Sequence, residues 1–208
     1  MTTNPKTIAT NLAISALSSK PLASDLAEKF AKAGFTLALV GGPVRDAILG
    51  RLGNDLDFTT NAKPDETKAI IKKGADSIWE TGREFGTIAA QYGDVTVEIT
   101  TYRSEKYESD SRNPEVKFGE TIEGDLLRRD FTVNAMALEL TTTPPTFIDN
   151  FDGINDLARK VLRTPGTPEN SFSDDPLRMM RAARFAAQLG FEVDPAIITA
   201  IKEVAARI

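Results

Sequence analysis

Apolar residues recur at helical spacing early in the chain. Leu22, Leu26 and Phe30 fall on one face and Gly34 supplies a stop, so residues 1–34 read as a mobile start followed by a helix. Phe35 to Val40 is a short apolar run of the kind a buried strand requires. Gly41-Gly42-Pro43 reads as a turn, and Val44 to Leu49 continues as a helix that Gly50 stops. Leu56 to Thr59 is a second strand, and Pro64 to Lys73 a helix whose proline suits its first turn. Gly86 to Gln91 and Val95 to Thr100 read as two strands joined hairpin-fashion through Gly93-Asp94. Residues 104–119 are polar, contain Asn113-Pro114, and read as a mobile loop. Val133 to Leu140 is again apolar-rich, Thr141 to Thr146 with two prolines is a break, and the pattern after Phe151-Asp152-Gly153 is mostly helical.

This order predicts an α+β fold: a mixed sheet flanked by helices over residues 1–148, then an all-helical segment over 149–208. The last helical run, Ala196 to Ile208, has no Gly or Pro stop, so the chain reads as a C-terminally truncated piece of something longer. There is no internal repeat. With 208 residues, the chain can bury an ample core.

The chain has no Cys and no His. That excludes a disulfide framework, a Cys/His zinc site and Ser-His or Cys-His nucleophilic chemistry. A bound metal would be held by oxygen, which points to Mg²⁺, with Mn²⁺ as the alternative. The lack of cysteine fits a cytoplasmic protein. The N-terminal residues lack a basic stretch followed by a long apolar run, so no signal peptide is expected, and no apolar run approaches the roughly 20 residues needed to span a bilayer. A net charge of −5 gives no support for bulk nucleic-acid binding. Between Arg159 and Arg184, however, Arg159, Lys160, Arg163, Arg178, Arg181 and Arg184 outnumber Glu169, Asp174 and Asp175. Such an element either is a solvated helix face or meets an anion.

The candidate chemistry begins at Asp55 and Asp57. Residues two apart on a strand share a face with Cα atoms about 7 Å apart, so these carboxylates can converge while Leu56 and Phe58 point inward. Paired carboxylates of this kind can hold divalent metals for phosphoryl transfer. In Val95-Thr96-Val97-Glu98-Ile99 the apolar residues share one face, which leaves Glu98 polar-facing as a third candidate. Gly41 and Gly42 allow close backbone approach to a phosphate at a helix start, and Arg45 adds a charge-assisted bond. Alone, an Asp-x-Asp is also ordinary strand-end polarity, and Gly-Gly is also a plain turn.

Leu39 to Thr60 resembles the catalytic signature of the class II tRNA nucleotidyltransferases, the CCA-adding enzymes that share a polymerase-β-like head with bacterial poly(A) polymerases. The resemblance continues through Arg128-Arg129-Asp130-Phe131-Thr132-Val133-Asn134-Ala135 and Asp152-Gly153-Ile154-Asn155-Asp156-Leu157. It ends with Asp174-Asp175-Pro176-Leu177-Arg178 and Arg181-Ala182-Ala183-Arg184-Phe185. It implies a head followed by a helical neck, with Asp55 and Asp57 on the catalytic Mg²⁺. Gly41, Gly42, Arg45 and Arg129 would lie at the nucleotide, and Asp130 and Asn134 at the ribose. Asp152 and Asp156 would have a structural role at a head-to-neck hinge. A local salt-bridged turn is the competing reading of Arg128. The resemblance also implies CTP and ATP as substrates, tRNA as partner, and a 104–119 loop that moves when selectivity changes from C to A; the apolar pattern implies no membrane, and no protein partner is inferred.

Asp175 and Arg178 permit a separate argument. At i,i+3 they present an acceptor beside a forked donor. Cytosine and adenine offer an amine beside a ring-nitrogen acceptor, whereas uracil and guanine reverse that order. One Asp/Arg pair can therefore accept C and A without a nucleic-acid template. Asp175 before Pro176 equally reads as a helix cap. Arg181 and Arg184 continue the series from Arg178 and would face the head. Met179, Ala182, Ala183, Ala186 and Leu189 would form the opposing apolar stripe. Two features depart from the pattern: related enzymes commonly carry Glu-Asp where this chain has Asp174-Asp175, and the tRNA-holding body would lie beyond Ile208. The reading is CCA addition. Its rivals are a poly(A) polymerase or a partial CC- or A-adding enzyme, a non-catalytic nucleotide- or RNA-binding module, and a small-molecule nucleotidyltransferase that would not need the neck motifs.

Overall fold

A computed structural model describes residues 4–106, 115–119 and 121–207. The helices are α1 (Pro5–Leu17), α2 (Pro21–Lys32), α3 (Gly42–Ile48), α4 (Pro64–Ile71), α5 (Ile122–Leu127), α6 (Gly153–Arg159), α7 (Pro168–Asp174), α8 (Leu177–Leu189) and α9 (Pro195–Val204). The strands are β1 (Ala38–Val40), β2 (Asp55–Thr60), β3 (Ser77–Trp79), β4 (Thr87–Tyr92), β5 (Val95–Thr101), β6 (Arg103–Lys106), β7 (Glu115–Phe118), β8 (Met136–Glu139), β9 (Thr146–Asp149), β10 (Val161–Leu162) and β11 (Glu192–Val193).

Seven strands form one mixed sheet in the order β3-β4-β5-β2-β1-β8-β9. Only β2 and β5 run parallel in it, in a register that sets Asp57 opposite Glu98 and Thr59 opposite Thr100. Period-two alternation then sorts the side chains onto two faces. Leu39, Leu56, Phe58, Val97, Ile99 and Leu138 enter the large core with Leu26 and Phe30 of α2, Val44 of α3 and Ile71 of α4. Ala38, Val40 and Ala137 face the other way, into a small cluster with Tyr102, Ile122 and Leu126 under α5. Beside that cluster, the β2/β5 face carries Asp57 and Glu98.

The same large core continues past residue 148 through Leu157, Leu162, Phe172, Met179, Ala182, Phe185 and Ile197. Asp156 stands at this junction with no solvent exposure. It accepts hydrogen bonds from Thr132 Oγ1 (2.7 Å), Arg159 Nη2 (2.7 Å) and Arg163 Nε (3.0 Å). Two of the basic residues noted in the sequence are therefore engaged at this joint. Asp149 caps α6 by accepting from Gly153 N and Ile154 N at 2.8 and 3.0 Å. After residue 151 the chain is mostly helical, with β10 and β11 pairing in parallel across the segment.

Several expectations need correction. The mobile start is a helix: α1 buries Ala9, Ala13 and Leu17 while exposing Ile8, Leu12 and Ile14. Apart from Leu17 at its end, the helix turns alanines in and large residues out, so the chain carries no amphipathic signal there. The first strand is shorter than the apolar run and spans only Ala38–Val40. The span 104–119 is not a plain loop, because β6 and β7 pair antiparallel from Arg103↔Phe118 to Lys106↔Glu115. The rest of that expected loop lies outside the described residues. On α8, Ala183 is exposed instead of joining the apolar stripe.

The α6 junction generates a prediction. A Cβ on Gly153 would stand 2.4 Å from Thr132 O and 2.8 Å from Met136 Cγ. Gly153→Ala should therefore destabilise the fold by about 1–3 kcal/mol. The expected result is a lower denaturant midpoint at unchanged slope, and an unchanged midpoint would show that the junction is loose.

Candidate active site

One polar cleft of about 510 Å³ lies between the β2/β5 face, the Gly41-Gly42 turn, the 128–134 segment and the start of α8. Its walls include Gly41, Gly42, Arg45, Asp57, Glu98, Arg129, Asp130, Asn134, Asp175, Arg178 and Arg181. Asp55 and Arg184 are not among them: Asp55 is exposed at the start of β2, and Arg184 is exposed on α8. The cleft adds residues that the sequence reading did not select, notably Thr100, Arg103, Arg128 and Phe185.

The carboxylate wall is crowded. Burial, then the neighbouring Glu98 charge and more weakly Asp55, push the Asp57 carboxyl up to about 6, while Arg129 pulls the other way. The opposite wall is built on a residue whose sequence context gave no hint of its role. Asp125 of α5 has no solvent exposure. It accepts from Arg128 Nη2 (2.7 Å) and Nε (3.1 Å), Arg129 Nη2 (3.1 Å) and Thr59 Oγ1 (3.3 Å). Burial alone would raise its pKa, but the charges of Arg129 and Arg128 prevail and hold it below the usual carboxylate range. Arg128 thus makes the salt-bridged turn that the sequence allowed, and it also lines the cleft.

Gly41 is glycine for two reasons: its φ is +75°, and a Cβ there would lie 2.9 Å from Arg129 Nη1. α3, which follows, is only seven residues long, so its dipole is small and guanidinium groups carry most of the local positive charge. Arg45 is buried, its Nε and Nη2 donating to the two Asp46 oxygens at 3.0 and 2.9 Å and its Nη1 to Asn134 Oδ1 at 2.5 Å. Asn134 Nδ2 donates to Asp130 Oδ1 (3.0 Å), and Arg181 donates through Nε and Nη2 to Asp130 Oδ2 at 2.8 and 2.6 Å. A continuous chain of polar contacts therefore runs from α3 through the 130–134 turn to α8.

At the far end, Arg178 donates to Ser171 Oγ (3.0 Å) and to the Arg128 carbonyl (2.5 Å). Its Nε stands 4.0 Å from Asp175 Oδ2. Asp175 Oδ1 accepts from Leu177 N at 2.9 Å. Asp175 thus caps α8 and stands beside Arg178 at once, each with its own oxygen.

Residues 37–163 match the family described as Poly A polymerase head domain, and the chain belongs to that family. The CCA-adding enzyme of Streptococcus suis (strain 05ZYH33) is 45% identical over 179 residues, 86% of this chain and 43% of its own length. That of Enterococcus faecalis (strain ATCC 700802 / V583) is 44% identical over 171 residues, 82% of this chain and 40% of its own. The chain thus spans less than half the length of these curated relatives. Among solved structures, the Bacillus stearothermophilus CCA-adding enzyme in complex with CTP superposes with a TM-score of 0.75 at 35% identity, covering 88% of this chain and 43% of that one. A tRNA nucleotidyltransferase complexed with a primer tRNA and an incoming ATP analog gives 0.70 at 30% identity, covering 87% and 50%.

Membership implies use of a divalent metal. The donor set fits one: oxygen ligands only, with the Asp57 carboxyl pushed up first by burial and then by the Glu98 charge, both of which a cation would offset. Asp55 and Asp57 would hold it. Among the described residues no group of three such side chains is arranged to hold a metal, so Glu98 adjoins Asp57 across the ladder without completing a three-carboxylate set.

The Asp57 shift has a direct consequence. Between about pH 4 and pH 6 the folded state binds the proton more tightly than the unfolded chain, so stability falls as pH rises through that window. At pH 7 Asp57→Asn should gain up to about 3 kcal/mol over the parent, a gain that vanishes below pH 4. Thermal melts across pH check this, and millimolar Mg²⁺ should narrow the difference at pH 7. A gain independent of pH, or a loss, would contradict the crowding. Asp125→Ala, which removes the buried carboxylate that accepts from both Arg128 and Arg129, should instead cost about 3–5 kcal/mol in chemical denaturation. A loss under 1 kcal/mol would remove Asp125 from the centre of that wall.

Proposed function

We propose that this chain is the catalytic head and helical neck, over residues 1–148 and 149–208, of a cytoplasmic CCA-adding tRNA nucleotidyltransferase. It would transfer C and A from CTP and ATP to the tRNA 3′ end without a nucleic-acid template. The observation that carries the reading is a single cleft in which a carboxylate strand, a guanidinium wall and an Asp/Arg pair face one another.

In this reading Asp55 and Asp57 hold Mg²⁺, which when bound favours the ionised attacking hydroxyl and offsets phosphate charge. The 3′-hydroxyl oxygen attacks the α-phosphorus as the bond to pyrophosphate breaks. Arg129, Arg45 and Arg181 oppose the charge on the leaving pyrophosphate. Asp130 and Asn134 meet the ribose, where a hydroxyl competes with Arg181 for the Asp130 carboxylate. At the base, Asp175 accepts from the exocyclic amine and Arg178 donates to the ring nitrogen. Arg178 keeps a hydrogen for this, because its Nη1 donates to the Ser171 Oγ and carbonyl while its Nη2 carries two hydrogens and donates one to the Arg128 carbonyl. Uracil or guanine would set a carbonyl against Asp175 and leave buried polar groups unpaired, at about 1–3 kcal/mol each.

Calorimetry of the chain with Mg²⁺ and each nucleoside triphosphate tests this directly. CTP and ATP should bind about tenfold or more tighter than UTP and GTP. Asp175→Ala should flatten the preference, and Asp55→Ala with Asp57→Ala should abolish the Mg²⁺-dependent part. A preference retained in Asp175→Ala together with a weaker α8 would assign Asp175 to capping alone. ATP binding without CTP binding would turn the reading to a poly(A) polymerase.

A further inference from the structure

Phe185 is 7% exposed, lines the cleft from α8 and packs edge-on against the fully buried Phe131, with centroids 5.8 Å apart and planes at 83°. Three guanidinium groups surround its ring: Arg184 at 4.7 Å from the centroid, Arg45 at 5.5 Å and Arg181 at 5.6 Å. All three lie within the roughly 6 Å over which an aromatic face attracts a cation. Arg45 and Arg181 are also held by Asp46 and Asp130. Arg184 lies outside the cleft lining and has no carboxylate partner among the described residues, so the ring of Phe185, which does line the cleft, is what holds its charge there.

A carboxylate at this position would gather the same arginines but cancel part of their charge. An aromatic quadrupole attracts them while adding no formal charge, so it adds nothing to the partial neutralisation of Arg45 and Arg181 by Asp46 and Asp130. A chain of phosphates is served by cations that are fixed in place without a further anion beside them. We propose that Phe185 is a positioning residue that assembles Arg45, Arg181 and Arg184 into a site for the polyphosphate of the incoming nucleotide. The proposal rests on the nucleotidyl-transfer reading above and deepens it.

Phe185 also fills core space, so the test must alter the ring's electrons and not its shape. Phenylalanine carrying one, two and three ring fluorines can be placed at position 185, with thermal melts confirming an unchanged fold. Inorganic tripolyphosphate is then titrated calorimetrically into each protein. Affinity should fall stepwise with fluorination, to about one tenth of the parent's with three fluorines. Phe185→Tyr should bind like the parent. A flat series, or no tripolyphosphate binding by the parent, overturns the proposal. The CTP-over-UTP preference of the same proteins reports the function reading separately. A graded series without that preference would sink CCA addition and leave the anion site standing, and a flat series with the preference intact would do the reverse.

Discussion

The ion pairing of Asp125 with Arg128 and Arg129 fixes the geometry of the cleft. Its carboxylate is fully buried, and a buried charge is tolerated only when partners surround it. Asp125 meets that condition with two arginines, and it reaches β2 through Thr59. Because Thr59 lies two residues beyond Asp57 on the same strand, the anchor of the cationic wall is tied to the strand that carries the anionic one. Arg129 then acts on Asp57 and lies against Gly41, whose φ of +75° already disfavours a side chain.

The second half of the site is joined to the first by side chains as well as by core. Arg178 donates to the Arg128 carbonyl, and Arg181 to Asp130, so α8 is attached twice to the segment that Asp125 anchors. The base-reading pair and the carboxylate strand are thus referred to one another through few, short, charge-assisted contacts, which are stronger and more directional than neutral ones. Asp156 does the same work at the base of the joint with Thr132, Arg159 and Arg163.

Much of this was legible in the sequence because it is carried by local pattern. Alternation in 55–60 and 95–101 sets Asp57 and Glu98 on the polar face, and the double glycine before Pro43 marks the turn. Asp175 and Arg178 could be placed side by side from helical spacing alone. What stayed hidden depends on contacts between distant segments. Asp125 is one acidic residue in an ordinary amphipathic stretch, and nothing near it shows that Thr59, more than sixty residues away, will bond to it. Phe185 reads as core until three arginines from two helices are seen around its ring. The β6–β7 pairing falls in a largely polar stretch of sequence, and α1 turns its alanines inward. Arg184 follows Arg181 at the same three-residue step, yet each such step falls short of a full turn, and Arg184 ends up exposed and outside the cleft lining, against the Phe185 ring.

The most direct measurement is a crystal structure of this protein with CTP and a divalent cation. The account predicts phosphates between the Asp57 strand and the Arg129–Arg45 wall, with the cytosine amine on Asp175 and its ring nitrogen on Arg178. A nucleotide seated outside this cleft, or one in it with its base turned from Asp175 and Arg178, would contradict it.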